Sequence, residues 1–467
     1  MRGFHPNLSG GGKGSSDKHF ASQPPTMIQL PPLLQTRRLR FVPVCLSALA
    51  AATVPASAAE TSINSGDTAW LLTSTALVLF MMIPGLALFY AGLVRARNVL
   101  SIFMQCFALT AVLSLLWLVC GYTLAFSDGG SLIGGFEKMF LQGVTTTSVR
   151  ADCPTIPELL HFAYQMMFFM ITPGLFIGAF AERMKFSAIM VFSILWSLIV
   201  YVPCCYGVWH KAGAFLGLTG VIDLAGGIVV HITAGVAALV LCIVVGPRQG
   251  FPTAQILPHN LPQTMVGAGM LWVGWFGFNA GSQLAANGSA AMTLIVTHLS
   301  ACTAAVVWMG LEWLMIRKSS ALGIATGSIA GLAAITPAAG KVGPIGALCI
   351  GATSAVICWL ACAKLKKTFR YDDSLDVFGV HGVGGFVGTI LVAVFGSTHF
   401  AGGLGEFEIL PQLKTQALAA LYTILLSGVA SYVIIKIVGL LIHLRVTPEE
   451  ENQGLDQAEH GEAAYND

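Results

Sequence analysis

The stretch DLAGGIVVHITAG, residues 223–235, places a histidine inside an apolar segment that is long enough to span a membrane. His231 follows Asp223 by eight residues, which is about 12 Å along a helix. A second stretch, DVFGVHGVGGFVG at residues 376–388, repeats this arrangement with Asp376 and His381. Ionisable side chains at hydrocarbon depth are costly, so this repeated pattern indicates a function inside the membrane.

The composition of the chain indicates a polytopic membrane protein. Hydrophobic residues make up 55% of the 467 residues and charged residues only 10%, whereas soluble domains carry about 25% charge. The mean hydropathy of +0.76 agrees with this class. A net charge of +2 without a suitable basic cluster predicts no nucleic-acid partner. The 11 cysteines lack the paired spacing of zinc sites, and we expect no metal and no cofactor.

The N-terminal part of the chain has the features of an exported protein. Residues 1–26 are polar and rich in glycine and serine, and Met27 is a plausible alternative start. A basic segment (Arg37 to Arg40), an apolar segment (residues 41–54) and the small residues 56–58 follow. This order is typical of a cleaved signal peptide, and the apolar segment is too short to favour a first membrane helix. We therefore predict that residues 1–59 comprise an upstream extension and a cleaved signal peptide.

Eleven apolar stretches of spanning length follow and predict an all-α fold with eleven transmembrane helices. They cover residues 69–93, 100–126, 158–181, 186–208, 224–246, 262–282, 290–315, 321–339, 343–363, 377–398 and 415–443. The odd-numbered connections hold eleven lysines and arginines and the even-numbered ones hold five. The positive-inside rule places the odd connections and the C-terminus in the cytoplasm, with the mature N-terminus outside. We predict a transmembrane domain over 60–445 and a cytoplasmic tail over 446–467.

Two features suggest an internal repeat. The motif PGLALFYAGLVRARN in the first span is similar to GWFGFNAGSQLAAN in the sixth, and the two histidines fall in the fifth and tenth spans. Halves of five spans each must have opposite orientations, so the pattern predicts an inverted five-plus-five repeat followed by an eleventh helix. Small residues at four-residue spacing (Gly323, Gly327 and Gly331; Gly384 and Gly388) predict close helix packing around the tenth span.

Each candidate site residue also has a structural interpretation. A single histidine on an apolar helix is usually a hydrogen-bonded core residue, but two in matching spans favour a coupled functional pair. Asp223 and Asp376 fit helix caps better than cation ligands. Aromatic residues at the outer ends of spans are explained either by an interfacial belt or by a cage for a small cation. Spacing does not decide between the belt and the cage.

The order of motifs resembles that of bacterial ammonium transporters, of the ammonium transporter/Rhesus family. The similarity runs from about Thr68 to the last residues. It includes PGLALFYAGLVRARN, GAFAERMKFSA, DLAGGIVVHITAG, PHNLP, GWFGFNAGS, ITPAAG, DVFGVHGVGG and GLDQAEHGEAAYND.

The resemblance implies a function for each candidate residue. In the family pattern Phe168, Trp209 and Ser282 form an outer ammonium recruitment site, and Phe168 and Phe278 gate the pore below it. His231 and His381 are then the twin histidines that line a hydrophobic pore, and Asp223 is a structural acid near the outer mouth. The sequence departs from the pattern at His210 and Lys211, where small residues are common, which puts the affinity for ammonium in doubt.

The resemblance also implies an oligomeric state, a location and a physiological role. The protein is expected to be a homotrimer, to lie among lipids in the bacterial inner membrane and to serve nitrogen assimilation. A trimeric PII-type signalling protein is expected to dock on its cytoplasmic face. The alternatives are an ammonium sensor, or transceptor, and a Rhesus-type gas channel. A membrane enzyme is disfavoured because we find no nucleophile, metal cluster or group of clustered acids.

Overall fold

The computed structural model describes residues 63–210, 214–254 and 256–465. The predicted extension and signal peptide, residues 1–59, lie outside the described residues, as does Lys211. Within the described ranges every regular element is a helix, which confirms the helical class.

The long helices follow one another at the positions of the predicted spans. They are α1 (Ser65–Leu93), α2 (Ala96–Phe126), α3 (Glu158–Ala179), α4 (Phe186–His210), α5 (Gly227–Val245), α6 (Leu261–Gly281), α7 (Gly288–Ile316), α8 (Ala321–Ile335), α9 (Pro344–Phe369), α10 (Phe378–Phe395) and α11 (Ile409–Leu441). Nine of them, counted over the described ranges, are long and apolar enough to cross a membrane; α6 and α8 are the exceptions. Helix α8 has only 15 residues, or about 22 Å, against about 30 Å of hydrocarbon.

Glycines let several of these helices approach closely. A Cβ atom on Gly327 would lie 2.5 Å from Trp308 of α7, and one on Gly331 would lie 2.6 Å from the Ser300 carbonyl oxygen. A Cβ on Gly388 of α10 would overlap the carbonyl oxygen of Ala334 at the end of α8. The predicted small-residue ladders therefore lie at helix contacts, where larger side chains would force the backbones apart.

The outer face of α11 shows what surrounds the bundle. Leu410 and Leu440 expose 77% and 85% of their surface, and Leu425 and Val429 are also exposed. A soluble monomer rarely leaves so many apolar side chains uncovered. Lipid or another apolar surface therefore covers this face.

Two short helices, α12 (Pro448–Gln453) and α13 (Leu455–His460), form most of the C-terminal tail. Three hydrogen bonds join the tail to the starts of α2 and α4: from Leu455 N to Asn98 Oδ1 (2.8 Å), from Ser101 N to Asp456 Oδ1 (2.7 Å) and from Phe186 N to Glu459 Oε2 (3.0 Å). Helices α2 and α4 begin after the first and third connections, so the tail lies at the end of the bundle that carries these basic connections. We call this the tail end and the opposite one the Trp209 end.

A buried ion cluster holds the tail end of the bundle together. The Glu182 carboxylate has no exposed surface and accepts from Arg95 Nε (2.9 Å) and Arg248 Nη1 (3.1 Å). The Arg248 guanidinium also donates two hydrogen bonds, of 2.8 and 2.9 Å, to Asp372. Burial alone would raise the pKa of Glu182, but Arg95 and Arg248 outweigh burial and lower it. The cluster thus links the ends of α1, α3 and α5 to the α9–α10 connection.

Candidate functional site

The three residues expected at the aromatic site meet at the Trp209 end. Phe168 of α3, Trp209 of α4 and Ser282, just after α6, line one cavity of 120 Å³. The Phe168 and Trp209 ring centroids lie 5.6 Å apart with the planes at 85°. Aromatic rings beside a hydroxyl have the chemistry that binds a small cation by cation–π attraction and hydrogen bonding.

Backbone carbonyls hold these side chains in place. Trp209 Nε1 donates to the carbonyl oxygen of Asp223 at 2.9 Å, and Ser282 Oγ donates to the carbonyl oxygen of Phe278 at 2.8 Å. The Tyr164 hydroxyl lies 2.9 Å from the Phe278 carbonyl oxygen and 3.1 Å from Ser282 Oγ. The hydroxyl of Ser282 is thereby held by the carbonyl oxygen of Phe278 and by Tyr164 at the edge of the cavity.

Asp223 organises the start of α5. Its carboxylate accepts four backbone N–H bonds, at 2.6–3.1 Å, from the consecutive residues Gly226, Gly227, Ile228 and Val229. Burial raises the pKa of Asp223, and the four N–H donors oppose that rise. With these bonds the Asp223 side chain satisfies the first N–H groups of α5. The carbonyl oxygen of Asp223 positions Trp209.

Below the cavity two phenylalanine rings are in contact. The Phe168 and Phe278 centroids are only 4.4 Å apart, and both side chains are buried. His231 stacks beneath Phe278, with centroids 6.1 Å apart, and beside Trp275 at 5.6 Å. Phe168 lines the 120 Å³ cavity and Phe278 contacts His231, so the ring pair lies between that cavity and the histidines.

His231 and His381 are in direct contact. Their Nδ1 atoms lie 3.3 Å apart, and both rings are almost fully buried. Because one proton serves this bond, one ring donates at Nδ1 and keeps a lone pair at Nε2, while the other accepts at Nδ1 and carries its proton at Nε2. The adjoining cavity measures 10 Å³, about the space of one water molecule. The pair thus offers one acceptor and one donor in an otherwise apolar space.

Local helix geometry places both rings. Each histidine lies in a π-helical turn, Gly227–Ile232 in α5 and Phe378–Gly382 in α10. Such turns insert an extra residue and often mark functional positions. A Cβ on Gly235 would overlap the backbone of Gly382, so only glycine permits this approach of α5 to α10.

A second cavity, of 170 Å³, lies on the tail-end side of His381. Tyr90, Arg248 and Asp376 are among its lining residues. Asp376 does not cap α10 as its position suggested; its backbone is left-handed (φ 59°) and its carboxylate accepts from Lys366 Nζ at 2.8 Å. Asp373 accepts instead from the N–H of Phe378, at 2.7 Å. The 170 Å³ cavity and the 10 Å³ cavity share Phe89, Ile329 and His381 among their lining residues. Phe168 lines the 120 Å³ cavity and contacts Phe278, which lines the 10 Å³ cavity.

Known proteins share both the sequence and this architecture. The profile of the Ammonium Transporter Family matches residues 69–465. The chain belongs to this family. The ammonium transporter of Aquifex aeolicus is 43% identical over 92% of this chain and its own full length, and that of Bacillus subtilis is 44% identical over 86% of this chain and 99% of its own. These matches confirm the family and identify a transporter fold.

Solved structures of the family have the same fold. A structure titled Sensor Amt Protein superimposes with a TM-score of 0.76 at 28% identity and covers 85% of this chain and 98% of its own. The structure of Saccharomyces cerevisiae Mep2 gives a TM-score of 0.76 at 30% identity, over 84% of this chain and 89% of its own.

Four residues at the site of this family member were missed in the sequence. Tyr164 and Trp275 contact Ser282 and His231, and His161 and Gln165 line the 120 Å³ cavity. The available signal was helical spacing, because Tyr164, Gln165 and His161 precede Phe168 by four, three and seven residues on α3. This spacing is hard to recognise in the sequence, because the buried and the lipid-facing residues of a membrane helix are equally hydrophobic.

Proposed function

We propose that this protein transports ammonium by recruiting it at the Trp209 end and conducting ammonia past His231 and His381. The observation that carries this proposal is the pair of histidines, 3.3 Å apart, below a closed phenylalanine pair in a 10 Å³ cavity. A cavity of that size has no room for a hydrated ion. Its two ring nitrogens can replace hydrogen bonds that ammonia loses when it leaves water.

Energetics explain the selectivity of such a pore. Transfer of a bare cation into a low-dielectric interior costs on the order of tens of kcal/mol. Loss of a proton from an ammonium-like group of pKa ~10.4 at pH 7 costs only about 4 to 5 kcal/mol. Potassium and sodium have no proton to lose, so the pore excludes them. Net transport is electrogenic where the proton crosses separately and neutral where it does not.

The proposed arrangement in the membrane follows the sequence. We propose eleven spans, with α6 and α8 included, as an inverted five-plus-five repeat and a final helix. The Trp209 end faces outward and the tail end faces the cytoplasm, in accord with the basic connections. Three copies assemble in the bacterial inner membrane, each with its own pore, and the exposed apolar face of α11 contacts lipid or a neighbouring copy.

Transport by purified protein tests the proposal. Proteoliposomes should respond to an ammonium jump with a current, a rise in internal pH, or both, and should not respond to potassium. Protein-free liposomes correct for passive ammonia entry. If neither the current nor the pH change exceeds that background, transport is refuted. Ammonium binding without flux would favour a sensor.

We expect Trp209→Leu to raise the apparent KM for ammonium by about twofold to thirtyfold. The indole of Trp209 lines the 120 Å³ cavity, and cation–π contacts contribute about 0.5–2 kcal/mol. The measurement is the concentration dependence of current in proteoliposomes, with methylammonium as competitor. Trp313→Leu is the control, because that tryptophan is exposed on α7 and does not line the 120 Å³ cavity. An unchanged KM in Trp209→Leu would rule out a cation–π site.

We also propose control from the cytoplasm by a PII-type protein. The tail packs against the starts of α2 and α4. It lies at the same end of the bundle as the 170 Å³ cavity. A trimeric partner that inserts a loop into each exit would block transport without contact with the histidines. Deletion from Gly454 onward removes the Leu455 and Asp456 contacts, so we expect altered transport and weaker partner binding.

A pull-down with the host's own PII-type protein, under varied ATP, ADP and 2-oxoglutarate, measures that binding. A nucleotide-sensitive complex is the expected result. No complex under any condition, together with normal transport by the deletion variant, would reject both the partner and the role of the tail.

A further inference from the structure

The basic residues of the odd-numbered connections have two different surroundings. Three arginines of the first, third and fifth connections are used inside the protein: Arg95 and Arg248 bind Glu182, and Arg183 donates to the carbonyl oxygen of Asp372 at 2.6 Å. In the seventh and ninth connections only Lys366 has an acidic partner, Asp376, in the part of the chain that the structure describes. The other five cations there are exposed, and they are Arg317, Lys318, Lys364, Lys367 and Arg370.

Helices α7 and α9 carry these five cations at the same end of the molecule. The two helices run in the same direction, because α8 returns between them, and a Cβ on Gly351 of α9 would lie 2.5 Å from the Ser300 carbonyl oxygen of α7. Ile316 follows Ser300 by 16 residues and Lys367 follows Gly351 by 16, so each lies about 24 Å further along. Packed helices are about 8–10 Å apart, so long side chains at the two ends can contact one ligand.

The same helix ends expose large apolar side chains. Leu314, Met315 and Ile316 are consecutive and all exposed, Ile316 by 62%, and Phe369 of α9 is 70% exposed. Consecutive residues point in different directions around a helix, so this end of α7 protrudes from the bundle. Helix α7 has 29 residues, or about 43 Å, which exceeds the hydrocarbon thickness of about 30 Å. We call the five exposed cations and these four apolar residues the α7–α9 patch.

Both helices of the patch end at an arginine. Arg317 (φ 60°) and Arg370 (φ 53°) are the C-cap residues, and both have a left-handed backbone. Glycine adopts this conformation with the least strain and is the usual residue there. The chain has instead a guanidinium group at each position, which can form two parallel hydrogen bonds with a phosphate group.

The exposed face of α11 lacks this combination. That helix has 33 residues and only two lysines, Lys414 and Lys436, which are 22 residues apart. Lys436 lies over the ring of Tyr432, 5.4 Å from its centroid. An uncharged hydrocarbon surface is therefore enough to cover α11, whereas five cations close to apolar side chains call for an occupant that is both anionic and apolar.

We propose that the α7–α9 patch binds an anionic phospholipid, with the phosphate against the cations and an acyl chain against the apolar residues. Charge complementarity selects the head group, and basic sites between membrane helices are known to bind such head groups. A soluble acidic partner would match the cations only. In the proposed orientation the patch lies in the cytoplasmic leaflet. The binding itself does not depend on the proposed transport function, because it requires no ammonium.

The test is a titration of the detergent-solubilised protein with phosphatidylglycerol labelled on one acyl chain, followed by fluorescence anisotropy. Phosphatidylcholine with the same label is the zwitterionic comparison. Each cation at a charged lipid surface contributes about fivefold to the affinity. Lys364→Gln/Lys367→Gln/Arg370→Gln should therefore bind phosphatidylglycerol at least about tenfold more weakly and phosphatidylcholine as before. Arg317→Gln/Lys318→Gln should act in the same direction, and Phe369→Ser should weaken the binding of both lipids.

Lys341→Gln/Lys414→Gln is the matched control, because both lysines are exposed and belong to even-numbered connections at the Trp209 end. It should bind both lipids like the wild type. Equal affinity of the wild type for the two lipids, or unchanged affinity in both patch variants, would overturn the proposal. Displacement of the lipid by an equal concentration of glycerol phosphate would instead show a site for soluble phosphate. Loss of the complex with the PII-type protein, without loss of lipid binding, would assign the cations to that partner and also overturn the proposal.

Discussion

His231→Ala and His381→Ala are each expected to lower ammonium transport by about tenfold to a hundredfold. Each substitution removes one side of the Nδ1–Nδ1 bond and leaves the other ring buried without its partner. An unsatisfied buried polar group costs about 1–3 kcal/mol, which corresponds to this range when it adds to the barrier for ammonia. The measurement is the rate of current or internal pH change after an ammonium jump, with potassium tested in parallel. We expect each variant either to transport ammonium more slowly or to lose its exclusion of potassium.

The control for the histidine pair is His298→Ala. This residue lies on α7, where its ring packs against Trp272 at 5.5 Å, away from the pathway. All three variants should assemble like the wild type, which size-exclusion chromatography in detergent checks. Wild-type rates together with intact potassium exclusion in both pathway variants would make His231 and His381 packing residues only.

Glu182→Ala should destabilise the protein by about 3–5 kcal/mol. The substitution takes from Arg95 its acidic partner in the cluster, whereas Arg248 keeps its bonds to Asp372. Removal of one partner from a buried ion pair typically has an effect of this size, because the remaining charge is uncompensated. Thermal unfolding in detergent should show it as a clear fall in the midpoint.

The control for the ion cluster is Glu408→Ala, which breaks the exposed pair with His399. Both side chains of that pair are more than half exposed, and such pairs contribute at most about 1 kcal/mol. A midpoint for Glu182→Ala that is no lower than that for Glu408→Ala would contradict the role of the cluster.

The same cluster gives a pH dependence with a definite sign. The pKa of Glu182 is lowered in the folded protein, because Arg95 and Arg248 outweigh the effect of burial. A carboxylate with a lowered pKa stabilises the fold above its unfolded pKa of about 4.3, and this stability is lost as the pH falls through the folded value. The difference in unfolding midpoint between wild type and Glu182→Ala should therefore be full at pH 7 and shrink below about pH 4.

The sequence predicted the helical elements well because the apolar stretches and the basic connections are strong signals. The family and the helical membrane class are confirmed, and the structure brings His231 and His381 into contact. The roles of these two residues stay predictions. The count of eleven spans also stays a prediction. Helix α8 is short, and α6 is rich in glycine and tryptophan, which add little hydropathy.

Other features could not be predicted because they depend on tertiary contacts. The π-helical turns in α5 and α10 leave no periodic signature, since one inserted residue is invisible in an apolar run. The position of Asp376 suggested a cap on α10, yet Asp373 reaches the helix start, because the left-handed backbone at Asp376 directs its carboxylate to Lys366. The contacts of the tail with Asn98, Ser101 and Phe186 leave no mark in the sequence, whereas Thr447 and Glu450 form a local capping box at the start of α12.

The 10 Å³ cavity beside the histidines has a consequence for the cell that carries the protein. On the proposed function, a passage this narrow admits one small molecule at a time and holds no continuous column of water. The protein then contributes nothing to osmotic permeability and leaves the gradients of sodium and potassium intact. A cell short of nitrogen can therefore place many copies in its membrane without swelling or loss of its ion gradients, so abundance can compensate for a slow single pore.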